Sequence, residues 1–261
     1  MDRLERLQQM LLPSAKAGQP DSTFNLEELR DLVSRGITET EIMPPGVDTV
    51  ASSKAGTDSA SDLLRPPAWR VPLGVVKGRP NEWNDQLQRH RDDYQRWKRD
   101  FVGGTSSQRG SGATRTEVEH LNDVSLMKEI EKDEVRTRSE LPLFSSGSIA
   151  QQQMLYILFV FTKLHPEVGY VQGMNEILAP IIYVCSANPA TVWASEMEAD
   201  AYHLFASIME PLEPLYFRFP ENPLDGANVQ MSRLAKVLRQ HDAALWQHLV
   251  HPPPTTRIYV W

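Results

Sequence analysis

Two short stretches of the 261-residue chain carry side chains whose types and spacing can do chemistry. The first, Ile130-Glu131-Lys132-Asp133-Glu134-Val135-Arg136-Thr137, sets a carboxylate three residues before an arginine. At helical spacing Asp133 and Arg136 meet, and the ion pair would hold a long guanidinium in one pose. Holding it lowers the entropy of ordering it when a reaction needs it. Arginine stays charged and donates through a planar fork to two phosphate oxygens. The second stretch, Tyr170-Val171-Gln172-Gly173-Met174-Asn175, offers a glutamine directly before a glycine at the entrance to an apolar helix. With no side chain at Gly173 another backbone can approach closely, and Gln172 could orient an attacking water. Phosphoryl transfer on a GTPase is catalysed by such positioning and charge neutralisation, and an arginine supplied in trans contributes about 10³–10⁵ in rate. Taken alone, Asp-x-x-Arg is more often a structural ion pair, so spacing leaves both readings open.

Other chemistries find less support. No Gly-x-Ser-x-Gly occurs, and Cys185 falls on the apolar face of a predicted helix. His241, His248 and His251 lie at spacings of seven and three, followed by prolines, which match no usual metal site. The stretch 103–112 is rich in Gly and Ser but contains no Gly-x-x-x-x-Gly-Lys-Ser/Thr pattern, so it does not read as a phosphate-cradling loop. No metal-ligating or cofactor-binding residues are therefore expected. A net charge of −7 argues against a nucleic-acid binder, which normally shows a basic face. One cysteine cannot form an internal disulfide, which fits a reducing compartment. Met1-Asp2-Arg3-Leu4-Glu5-Arg6 is charged where a secretory signal would be apolar, and the longest apolar run, Met154–Phe161, is eight residues. A spanning helix needs ~20. The expectation is a cytoplasmic protein, peripheral at endomembranes through a partner.

The elements that must position these side chains read as helices throughout. Leu4, Leu7, Leu11 and Leu12 form a short amphipathic segment. Asn25, with Glu28 three residues later, predicts a helix start, with Leu26, Leu29, Leu32 and Val33 inward and a stop near Gly36. Residues 37–62 are polar and turn-rich, and read as a flexible insertion. Helical texture returns over 63–74, and a charged helix is predicted from Glu82 to Phe101 with Trp83, Leu87, Tyr94 and Trp97 on its apolar face and its basic residues in solvent. Ile149–Leu164 is apolar round most of its circumference and predicts a central buried helix. Met174, Ile177, Leu178, Ile181, Ile182 and Cys185 share one helical face, with Pro180 expected to kink it. Helices are predicted over Ala199–Met209 and Gln230–Leu238, and Asp242 can cap a short one holding Leu245, Trp246 and Leu249. With strand signals almost absent, the predicted fold class is all-α.

Three motifs stand in order: Arg65-x-x-x-Trp69, Ile130-x-x-Asp133-x-x-Arg136 and Tyr170-x-Gln172-Gly173-Met174. Together with Leu29-Arg30-Asp31-Leu32-Val33-x-Arg35-Gly36-Ile37 upstream, they resemble the TBC-domain family of Rab GTPase-activating proteins. The resemblance implies an all-α TBC-like domain over 25–261, a 1–24 N-terminal extension, and insertions at about 38–62 and 102–116. It also implies that the chain carries the N-terminal two-thirds of such a domain, and the apolar end Ile258-Tyr259-Val260-Trp261 is a segment that wants burial.

In that family Arg136 would enter the active site of a GTP-bound Rab and Gln172 would place the water. Asp133 would orient Arg136, Tyr170 and Gly173 would shape the second loop, and Asn175 would fix it by hydrogen bonding. Ile130 and Met174 complete those two motifs, while Arg65 and Trp69 would be structural. Glu134 departs from the pattern by adding negative charge beside the arginine. The domain would need no cofactor of its own, since GTP and Mg²⁺ belong to the Rab, and it would act in vesicle trafficking as a GTPase activator rather than a self-contained enzyme. The alternative is a catalytically silent Rab-binding or scaffold fragment.

Overall fold

Every element in the computed structural model is helical, over residues 3–11, 25–34, 60–103, 117–186, 196–216 and 227–250, which are the residues the structure describes. Most of the two expected insertions lies outside them. The all-α class is observed, with no strand among the described residues.

Helices α1 (Arg3–Leu11), α2 (Leu26–Ser34) and α3 (Ala60–Arg70) share one apolar cluster. α1 turns Leu7, Met10 and Leu11 onto Leu29, Leu64 and Ala68, and Val71, Val76, Trp83 and Leu87 close the cluster. The segment read as an extension thus contributes a helix to this packing. Asn25 caps α2: its Oδ1 accepts the N–H groups of Glu27 at 3.0 Å and Glu28 at 3.2 Å. Glu28 does not return the bond as a capping box would. Its carboxylate instead takes the fork of Arg6, at 2.6 and 2.9 Å, and ties α2 to α1. Leu26, expected inside, is 36% exposed. α3 carries Pro66 and Pro67 in its interior, each removing a backbone donor, and still holds because Leu64, Pro66, Ala68 and Arg70 are buried.

The main core is built on α4 (Trp83–Phe101), α5 (Glu117–Glu134), α6 (Ile149–Leu164), α7 (Met174–Ser186) and α8 (Met197–Met209). α6 is central and packs against the other four. Met154 and the run Ile157–Phe161 are fully buried, each such side chain contributing about 1.5–3 kcal/mol of transfer free energy. Ser148 starts α6, its Oγ accepting the Gln151 N–H at 3.2 Å. α5 runs unbroken from Glu117 to Glu134 with little apolar periodicity, and the sequence analysis predicts no helix there.

The charged helix α4 is only partly a solvated face. Arg91 is buried and forks onto Asp200 of α8 at 2.9 and 2.8 Å, and Arg70 of α3 reaches the same carboxylate at 2.7 Å. Lys98 and Tyr94 of α4 both meet Glu198, at 2.6 Å each. Local spacing predicts solvent for Arg91 and Lys98 because their partners lie 109 and 100 positions away, beyond any local pattern.

α9 (Glu213–Tyr216), α10 (Ala227–His241) and α11 (Ala243–Val250) follow. Asp242 Oδ1 accepts the Leu245 N–H at 2.9 Å and caps α11. α10 and α11 pack on each other, and Met231, Leu234, Val237, Leu245 and Leu249 are exposed. No helix of the described residues is long and apolar enough to cross a membrane.

Candidate functional site

Asp133 ends α5 in its last turn, and Arg136 lies two residues past the helix, in the turn over 135–140. The three-residue spacing still brings the side chains together: the Arg136 guanidinium donates to Asp133 Oδ1. The other oxygen, Oδ2, accepts the Tyr170 hydroxyl at 2.8 Å. Asp133 is buried, yet the Arg136 side chain is 61% exposed. An anchored base and an exposed fork are what this geometry provides. Burial first, and then the bond to Asp133, push the Tyr170 phenol above its ordinary value, so it stays a donor.

The turn after α5 is bonded to the loop before α7. Thr137 Oγ1 donates to the Asp133 carbonyl at 2.7 Å and accepts Asn175 Nδ2 at 2.7 Å. Asn175 Oδ1 in turn accepts the Gly173 N–H at 3.0 Å. Gln172 is exposed, one residue before that anchored amide. Gly173 has φ +105°, a conformation L side chains rarely adopt. Within the chain a Cβ there would meet nothing within 4 Å, so the backbone angle rather than close approach requires glycine. Arg138 has φ 48° and pairs with Glu176 of α7 at 3.2 Å, a second tie between the same segments.

The remaining motif residues are scaffold. Ile130 and Met174 are buried in the main core, and Trp69 packs against it half-buried. Arg65 lies on α3; its side chain falls outside the described ones. Glu134 is buried, and burial, then Glu131, pushes its carboxyl up. Sequence reasoning missed Thr137 and the Arg138–Glu176 pair. Thr137 stands beside Arg136, but its partner Asn175 is 38 positions away and no spacing links them.

A family model described as the Rab-GTPase-TBC domain matches residues 62–255. The chain belongs to the Rab-GTPase-TBC domain family. Among similar TBC proteins is the GTPase-activating protein gyp1 of Schizosaccharomyces pombe, 25% identical over 90% of this chain and 46% of its own length. TBC1 domain family member 13 of Homo sapiens is 27% identical over 56% of this chain and 34% of its own. A TBC domain-containing protein of Schizosaccharomyces pombe is 40% identical over 37% of this chain and 16% of its own. The chain thus spans less than half the length of each of these curated relatives. The crystal structure of the Ypt/Rab-GAP domain of Gyp1p superposes with a TM-score of 0.66 at 21% identity, covering 95% of this chain and 67% of that one. That likeness bears on the fold, which is the all-α TBC fold.

Proposed function

We propose that this TBC domain is a GTPase-activating protein that supplies Arg136 and Gln172 in trans to a GTP-bound Rab, in vesicle traffic at the cytoplasmic face of endomembranes. The observation that carries the reading is the exposed Arg136 fork held by a buried carboxylate, with the loop bearing the exposed Gln172 bonded to the same turn. Asp133 has one oxygen on Arg136 and the other on Tyr170, so the fork is ordered before a Rab arrives. The cost of ordering it is thereby removed from the transition state. Arg136 neutralises charge on the transferring phosphoryl group and Gln172 holds the attacking water. GTP and Mg²⁺ come with the Rab, and this chain supplies side chains.

The test is single-turnover GTP hydrolysis across purified Rabs with this domain at catalytic amounts. Stimulation of one or a few Rabs that is lost in Arg136→Ala and in Gln172→Ala is the expected result. A folded domain that binds Rab·GTP without stimulating hydrolysis would instead be the scaffold, and would overturn the reading.

A further inference from the structure

The arginine loop and the glutamine loop meet through one buried hydroxyl. Thr137 is 1% exposed and Asn175 5%. A threonine hydroxyl has one hydrogen to give and lone pairs to receive. Its hydrogen goes to the Asp133 carbonyl, the residue that anchors Arg136, and its oxygen takes Asn175 Nδ2. Asn175 then holds the Gly173 amide next to Gln172. The polarity of this relay is fixed along its whole length. Turning the Asn175 amide over would set its NH₂ against the Gly173 N–H, donor to donor, and offer Thr137 an oxygen when its one hydrogen is already committed. The relay therefore has one arrangement, and it specifies the backbone on both sides.

We propose that Thr137 is a positioning residue that couples the two loops, so that Arg136 and Gln172 are presented to a Rab as one pre-organised unit. The proposal rests on the GTPase-activating reading given above and assigns Thr137 a part in it. The Arg138–Glu176 pair spans the same gap, but its side chains are 53% and 49% exposed and solvent screens it. The buried relay sets the geometry. Valine at 137 keeps the shape and loses both bonds; serine keeps both bonds.

Single-turnover hydrolysis by a stimulated Rab, read as kcat and KM, is compared for the wild-type domain, Thr137→Val, Asn175→Ala, the double variant and Thr137→Ser. The expectation for Thr137→Val is a ~10- to 100-fold loss in kcat, since misplacing a reacting group by about 1 Å has that effect, with KM within about threefold. Thr137→Ser restores kcat to within about threefold, and the double variant is no worse than the worse single, as for residues acting through one relay. Wild-type kcat in Thr137→Val, a loss confined to KM, or losses that multiply in the double variant would each overturn the proposal. Asn175→Ala opens the relay from the other end and decides the matter if Thr137→Val does not fold. A wild-type domain that stimulates no Rab would count against the GTPase-activating reading itself. Amide exchange at Gly173 in the Rab-free domain then reads the coupling directly: about tenfold faster exchange in Thr137→Val supports it, and unchanged exchange overturns it.

Discussion

Arg70 and Arg91 close on Asp200 with side chains 3% and 9% exposed, whereas Arg136 closes on Asp133 with its own side chain 61% exposed. The residue types are the same and the carboxylate is buried in both places. In the first, all the charge is inside, and the contact joins α3, α4 and α8. In the second, only the acid is inside and the base stands in solvent. A pair with an exposed base contributes ~0–1 kcal/mol, too little to repay burying Asp133 for stability alone. A buried acid that grips an exposed arginine is better understood as a device for presenting it. What sets the second pair apart from the first is an exposed guanidinium over a buried acid.

Breaking each pair should therefore damage a different property. Arg136→Ala is expected to reduce stimulated hydrolysis by about 10³- to 10⁵-fold. Thermal unfolding of the same variant should move little, because an exposed side chain is removed and Tyr170 still holds Asp133. Arg136→Lys should recover only a small part of the rate, since an ammonium cannot present a planar fork. Asp200→Asn is the converse. It takes the shared charge from two buried guanidinium groups and should cost about 3–5 kcal/mol of stability. Chemical denaturation reads that directly. A variant at Asp200 that stayed stable yet lost activity would erase the distinction between the two pairs.

That distinction was only half legible in sequence. Helices with strong apolar faces could be read nearly to the residue: Ile149–Leu164 is observed with those limits, and Asn25 and Asp242 cap as their positions predict. α5 was not legible, because its exposed Val118 and Leu121 and its buried Asp123 and Ile130 follow no single stripe. The Asp133–Arg136 contact was visible because its partners are three residues apart. The Arg91–Asp200 and Thr137–Asn175 contacts were not, because topology brings them together across 109 and 38 positions. Local spacing finds contacts within one turn of chain; a tertiary hydrogen bond leaves no such trace.

The scaffold pair has a pH-sensitive neighbour. His203 sits one turn after Asp200 on α8, stacked on His90 with ring centroids 4.5 Å apart and its Nε2 2.8 Å from the His90 carbonyl. Burial above all pulls its imidazole down from 6.5 to about 4. Between those values the unfolded chain binds a proton that the folded chain refuses, so stability is full above 6.5 and falls as the pH drops toward 4. At about 1.4 kcal/mol per pH unit the loss reaches about 3 kcal/mol. Denaturation midpoints of the wild type and of His203→Gln, measured from pH 7.5 to 4.5, should converge as the pH falls. Parallel curves would remove His203 as the cause.

On the site side the corresponding group is Glu134, and its sign is opposite. Burial, then Glu131, raises its carboxyl above the ordinary 4.5, so the folded chain holds a proton that the unfolded chain has released. The penalty is absent below that range, appears as pH rises through it and persists at neutrality. Glu134→Gln should therefore stabilise the domain near pH 7 and leave it unchanged near pH 4. The same substitution removes a negative charge two residues from Arg136, where a phosphate approaches in the proposed mechanism. Because the Arg136 fork is in solvent, the gain is screened, and kcat/KM for stimulated hydrolysis should rise by no more than about twofold, less at high salt. A large fall in rate instead would mean that Glu134 helps hold the arginine turn, and the presenting device would then extend beyond Asp133 and Tyr170.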